Sequence, residues 1–139
     1  MMSETIEANR QRAKDYFKAF ASKDRDWLEA NVRPDYVRHD ETLPFDVVGP
    51  EGVLKLGDLL LGAFSDIELD VQDTVAENDK VLIRLRFRGV HSGPFGDLDP
   101  TGRRFDVAVL DLFRMEDGMI AEQWPAIDNA TLQKQLGAQ

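Results

Sequence analysis

Two histidines, His39 and His91, and no cysteine occur in the chain. Proton transfer near neutral pH therefore falls to these imidazoles and to any carboxyl group whose surroundings move its pKa. His91 ends the alternating run "VLIRLRFRGVH" and precedes "SGPFGDLDPTG". An imidazole there serves either as a strand-end residue tied to a loop or as a group that exchanges a proton in a pocket. Asp128, in "EQWPAIDNATL", also has two readings. It stands where a helix begins, and aspartate is a preferred N-cap. It also follows Trp124, and burial against an aromatic ring raises a carboxyl pKa into a range useful for acid–base work. His39 ends the short strand expected in "DYVRHD" and either lines the same cavity or lies on the surface. Two separated histidines with Asp111 lack the short-range ligand pair of a typical metal site, so no metal is assigned.

The elements that must position these residues follow from periodicity. Ile6, Ala13, Tyr16, Phe17 and Phe20 recur at spacings of a helix from about Ser3 to Ala21. "SKDRDWLEANV" reads as a second, short helix capped by Asp24, with Trp27, Leu28 and Val32 inward and Pro34 ending it. "DYVRHD" reads as a short strand. "GPEGVLKLGDLLLGAF" reads as a third helix with Pro50 at its start and Val53, Leu56, Leu60 and Phe64 on one face.

The period then becomes two. Ile67, Leu69 and Val71 alternate with Glu68, Asp70 and Gln72. Strands 80–91 and 103–115 are expected to pair antiparallel across the loop Ser92–Gly102. "MIAEQW" is a last strand and "DNATLQKQL" a last short helix. If the apolar faces coincide, Ile83, Leu85, Phe87 and His91 share a face with Phe105, Val107, Val109, Asp111 and Phe113. A slip of one residue would set Asp111 among Arg84, Arg86 and Arg88 instead. The first register keeps the apolar sets together and is preferred. Helices followed by an antiparallel meander predict an α+β fold: a cone-shaped curved antiparallel sheet with N-terminal helices packed on it, enclosing a pocket.

The chain of 139 residues suits one domain, 1–139, with a sizeable core. A net charge of −9 repels a phosphate backbone and no Lys/Arg run is present, so nucleic acid is not an expected partner. No run approaches the roughly 18 apolar residues of a membrane span. The N-terminus does not read as a signal peptide, and cytoplasm is the expected compartment. No phosphate-cradling glycine loop, dinucleotide fingerprint or nucleophile elbow is present. Arg84, Arg86 and Arg88, with Ala108, Leu110 and Leu112 beside them, suit a subunit interface, and a homodimer is expected.

"GVHSGPFGDLDPTGRRF", "MEDGMIAEQWPAID" and "LQKQLG" together resemble the SnoaL-like polyketide cyclase (ester cyclase) family. The matching pieces are Gly89-Val90-His91-Ser92-Gly93, Pro100-Thr101-Gly102-Arg103, Asp117-Gly118-Met119-Ile120, and Trp124 with Asp128. Val90 stands where the family usually has threonine. The resemblance implies the fold of nuclear transport factor 2, ketosteroid isomerases and limonene epoxide hydrolases, and an active site without a cofactor. It further implies Asp128 as general acid/base and His91 in the pocket. Tyr16, Phe17, Phe87, Phe113 and Trp124, with His39 and Asp111, are expected around the substrate. The implied reaction is an intramolecular aldol condensation of a polyketide-like carbonyl compound. Alternatives are an isomerase or hydrolase of a small apolar molecule using Asp111 or Asp128, or a ligand-binding or dimerisation module without chemistry. Two pocket carboxylates bridged by an arginine would favour epoxide hydrolysis; in the preferred register the hairpin arginines point away.

Overall fold

The change of hydrophobic period at Phe64 divides the molecule into a mainly helical first half and a sheet. The computed structural model describes residues 2–137, with side chains from residue 5 onward. Helix α1 (Met2–Ser22) buries Ala13, Tyr16, Phe17 and Phe20. Helix α2 (Arg25–Asn31) starts at Asp24, whose Oδ1 accepts the Trp27 N–H at 3.1 Å. Strand β1 (Val32–Arg38) and the two-residue β2 (Val47–Val48) precede helix α3 (Gly49–Ala63), which carries Pro50 in its first turn. The long strands β3 (Phe64–Glu77), β4 (Lys80–His91), β5 (Arg104–Glu116) and β6 (Met119–Ile127) follow, then helix α4 (Asn129–Gln135). Among the described residues no helix is long and apolar enough to cross a membrane.

Two expectations need correction. The early strand begins at Val32 and ends at Arg38, so Pro34 lies inside it rather than only ending α2. Proline has no N–H to give a ladder, and the pairing of β1 with β6 shifts register between Val32 and Val37, around that residue. The sheet is also not an antiparallel cone. Its six strands run in the order β2-β1-β6-β5-β4-β3, with β2 and β3 as free edges, and β1 lies parallel to β6. The result is an open mixed sheet, neither closed nor strongly curled. Closure would require β2 and β3 to pair, and β2 is only two residues long.

The hairpin register is the one that keeps apolar faces together. Ile83 pairs with Asp111, Leu85 with Val109, Phe87 with Val107 and Gly89 with Phe105. Val81, Ile83, Leu85, Phe87 and His91 are buried, as are Phe105, Val107, Val109, Asp111 and Phe113. Arg84, Arg86 and Arg88 take the other face. Arg84 meets Asp73 through Nε and Nη2, both at 2.9 Å. Arg86 reaches Asp106 at 2.8 Å, and Arg88 reaches Asp70 at 2.8 Å. Such surface pairs add little stability each. Their value is in register: a slip of one residue would bury three guanidinium groups. Helices α1 and α3 cover the apolar face, so one buried carboxyl, Asp111, lies beneath them.

Candidate functional site

Between the inner face of the sheet, α3, α4 and two loops lies a cavity of about 680 Å3. That is within the range of small-molecule sites. Leu56, Leu59 and Leu60 of α3, Phe64, Phe87, Ile127 and Leu132 make its walls apolar. The loop after β4 supplies Phe95 and Leu98, which exchange backbone hydrogen bonds of 2.9 and 3.0 Å in a tight turn. A second, smaller cavity of about 50 Å3 is lined by Tyr16, Phe17, Leu85, Val109, Asp111 and Gln123. Both volumes share Arg38, Leu60, Phe87 and Ile127 as wall.

The inner end is polar. On β1, residues two apart share a face, so Tyr36 and Arg38 both point inward and are buried. The Tyr36 hydroxyl donates to Gln123 Oε1 at 2.6 Å, and Gln123 Nε2 donates to Asp111 Oδ1 at 2.8 Å. Arg38 Nε donates to Asp40 Oδ2 at 3.2 Å. The Tyr16 hydroxyl is buried near Tyr36 and Arg38 without closing a hydrogen bond of regular geometry.

Charge states follow from these surroundings. Burial pushes the Asp111 carboxyl up to about 6, against the Arg38 charge and the Gln123 hydrogen bond, with Asp40 adding to the rise. Burial also works to raise Asp40, but hydrogen bonds from Thr42 and the charge of Arg38 outweigh it and leave Asp40 below its usual value. Burial raises Tyr16 to about 12 and Tyr36 well above the usual tyrosine value, so both stay neutral. One carboxyl therefore titrates near neutrality beside an arginine and a second, ionised carboxylate.

The structure divides the residues expected at the site. Asp111, Tyr16, Phe17 and Phe87 meet at the inner end. Phe113 lies in the core behind them, its ring 5.3 Å from that of Tyr16 and 5.8 Å from that of Phe17. Asp128 does not join them. It is exposed and caps α4, with Oδ1 accepting the Thr131 N–H at 3.1 Å and Oδ2 the Thr131 hydroxyl at 2.7 Å. Those bonds, the hydroxyl's first, hold its carboxyl below the usual range, the opposite of what a general acid near neutrality needs. Asp128→Ala is expected to lower the melting temperature, read by circular dichroism, without changing ligand binding in the cavity.

His39 and Trp124 also lie elsewhere. Alternation turns both away from the inward-facing Arg38 and Gln123, and they stack on each other at 5.0 Å and 11°. His39 Nε2 meets Glu122 Oε2 at 2.7 Å. His91 is fully buried at the end of β4 but acts on the loop. Its Nδ1 accepts the Thr101 N–H at 3.2 Å and lies 3.0 Å from the Thr101 hydroxyl. Accepting at Nδ1 assigns the neutral ring's hydrogen to Nε2, which is buried without a partner. The Phe64 ring, 5.8 Å from the imidazole, forms the nearby cavity wall.

Tyr36, Arg38, Asp40 and Gln123 were not among the expected site residues. The available signal was period two in "VRPDYVR", which sets Tyr36 and Arg38 on the face of the buried Val32. Pro34 interrupts that pattern.

Residues 7–136 match the family described as SnoaL-like polyketide cyclase. TsrD from Streptomyces laurentii is 30% identical, with a TM-score of 0.83 over 95% of this chain and 96% of that one. IdmH from Streptomyces antibioticus is 33% identical, with a TM-score of 0.79 over 94% and 99%. A SnoaL-like protein from Jannaschia sp. CCS1, 24% identical, shares the fold with a TM-score of 0.84 over 95% and 93%. No curated protein matches.

Proposed function

Because the chain belongs to the SnoaL-like polyketide cyclase family of the nuclear transport factor 2-like superfamily, we propose that it is an acid–base enzyme acting on a small, largely apolar carbonyl compound. Asp111 is the proton carrier in this reading, and intramolecular aldol condensation is the reaction. The observation that carries it is a buried carboxyl in a small cavity that shares Arg38, Leu60, Phe87 and Ile127 as wall with the large apolar one, with one oxygen held by Gln123.

A C–H between two carbonyl groups is already acidic, so a carboxylate of moderately raised pKa suffices as base. Asp111 takes that proton, and the C–H electron pair passes into the enolate. The enolate carbon attacks a second carbonyl of the same folded molecule, forming the C–C bond. The resulting alkoxide recovers the proton from Asp111. The addition neither gains nor loses atoms, loss of the new hydroxyl with an adjacent C–H hydrogen as water completes the condensation, and the apolar walls contribute by holding the reacting carbons close. Gln123 supports the role by occupying Oδ1 through an amide that Tyr36 holds in place, which leaves Oδ2 for the substrate.

Benzoylacetone in deuterated buffer tests the proposal by the rate at which its central C–H exchanges. The wild type is expected to accelerate exchange over buffer, Asp111→Asn to lose the acceleration, and Asp128→Asn to keep it. Equal exchange by wild type and Asp111→Asn would overturn the proposal.

A second reading, hydrolysis of a small apolar epoxide, draws support from Arg38 standing by two carboxyl groups, Asp40 and Asp111. One carboxylate would take a proton from water while the other, protonated, gives one to the opening ring. Diol formation from styrene oxide that is lost in both Asp40→Asn and Asp111→Asn would favour it.

A further inference from the structure

We propose that Arg38 binds the substrate carbonyl oxygen that becomes the enolate oxyanion, so that the cavity selects enolisable carbonyl compounds with the carbonyl at the inner end and an apolar body outward. The proposal rests on the acid–base reading of Asp111 and assigns the partner of that base.

Arg38 is a buried cation, its side chain 7% exposed, and it lines both the large cavity and the smaller one beside it. A guanidinium carries five N–H donors. Asp40 occupies Nε. Among the described residues the regular hydrogen bond of Arg38 is the one from Nε, and the Tyr16 hydroxyl lies close enough to feel the guanidinium without completing a bond of regular geometry. The terminal nitrogens are not sealed among the buried atoms without a partner, so they face the space that Arg38 lines, and a substrate oxygen there supplies an acceptor. Asp40, kept ionised, holds the guanidinium plane through Nε and leaves the planar fork of terminal nitrogens for the ligand.

The relation to Asp111 decides which oxygen this is. No ion pair in contact joins Arg38 to Asp111, yet Arg38 is the largest influence opposing the effect of burial on that carboxyl. Base and cation thus flank the same small space without neutralising each other by contact. In a carbonyl compound the acidic C–H and the carbonyl oxygen are two bonds apart, so one molecule reaches both groups. When the C–H proton moves to Asp111, the negative charge moves from that carboxylate to the substrate oxygen. Arg38 loses one anionic neighbour and gains another at the same moment. An interaction that strengthens as the charge transfers accelerates the step, whereas equal binding of ketone and enolate would not.

The test separates Arg38 from Asp111. Benzoylacetone is titrated with pH in the presence of excess protein, and the enolate absorbance is followed. The wild type is expected to draw the bound diketone into its enolate at lower pH than in buffer, by about tenfold or more in enolate affinity. Arg38→Met combined with Asp40→Asn, which keeps the local charge balance, is expected to abolish the shift. Asp111→Asn is expected to keep it while losing C–H exchange. No shift with the wild type, or an unchanged shift in the double variant, overturns the role of Arg38. Failure of Asp111→Asn to affect exchange overturns the acid–base reading alone. If near-ultraviolet circular dichroism shows the double variant unfolded, Arg38→Lys decides. It keeps the charge without the fork, so a partial loss supports the proposal and no loss overturns it.

Discussion

Between pH 4 and 6 the wild type is expected to lose stability that Asp111→Asn keeps. The Asp111 carboxyl has its pKa raised from 3.8 to about 6 by burial. The native state therefore holds its proton more tightly than the unfolded chain does. Below pH 4 both states are protonated and the group costs nothing. As pH rises through that window, the unfolded chain releases its proton first. Above about 6 the native protein carries a buried charge, at a cost of about 3 kcal/mol. Asparagine removes the titration and still offers an oxygen to Gln123, so the hydrogen-bond chain from Tyr36 survives. Asp40, Asp106, Asp128 and Glu122 have lowered pKa values and give the opposite slope, losing stability as pH falls. They are common to both proteins, so the difference isolates Asp111. Urea midpoints at pH 4, 5, 6 and 7 measure it, and parallel curves would remove the argument. The same variant should lose about 10²–10⁴-fold in proton transfer. The wild-type rate should rise through pH 6 as the base ionises. The group most costly to the fold above pH 6 is then the one on which the proposed chemistry depends.

What could be read in advance divides along a physical line. Alternation in "VLIRLRFRGVH" and "RRFDVAVLDLFRM" places both strands and the faces they share, because a slip of one residue buries arginines. Asp111 was therefore legible as an inward-facing carboxyl, and the cap at Asp128 was legible from the helix that follows it. The resemblance to cyclases implies a pocket role for Asp128, against its own local signal as a cap. Arg38 was not legible because β1 pairs in parallel with β6, a partner remote in sequence, and no local pattern specifies that pairing. Pro34 interrupts the alternation, and His39, one residue after Arg38, lies on the face that points away from the cavity. Closure of a sheet is likewise a property of its two edges, which period-two alternation within single strands does not describe.

Gly93→Ala is expected to release the loop that walls the cavity. A Cβ at residue 93 would lie 1.9 Å from the Gly62 carbonyl oxygen and 3.0 Å from its carbon. Both are backbone atoms at the end of α3, so no rotamer change relieves the clash. The close approach exists because Ser92 and Gly93 both donate N–H bonds to Ala63 O, at 3.0 and 2.9 Å. Either α3 shifts or the loop lifts. Shifting α3 disturbs Val53 and Leu56, both buried in the core, and such overpacking costs about 1–3 kcal/mol or more. Lifting the loop forfeits two hydrogen bonds, at about 1 kcal/mol each, and the partly buried Phe95, whose ring lies 5.0 Å from that of Phe64. The two routes cost similar amounts. Ser92, Pro94, Gly96 and Asp97 of the loop are exposed, while its far end is held where the Thr101 N–H donates to His91 Nδ1. Lifting should therefore predominate. Limited proteolysis should cut within 92–102 faster than in the wild type, and diketone binding should weaken as Phe95 and Leu98 leave the wall. Gly96→Ala is the control: its φ is +59°, but a Cβ there meets nothing within 4 Å. It carries only the left-handed backbone penalty of about 1–2 kcal/mol. If the two variants bind the diketone equally and resist protease equally, the contact at Gly62 does not hold the wall in place.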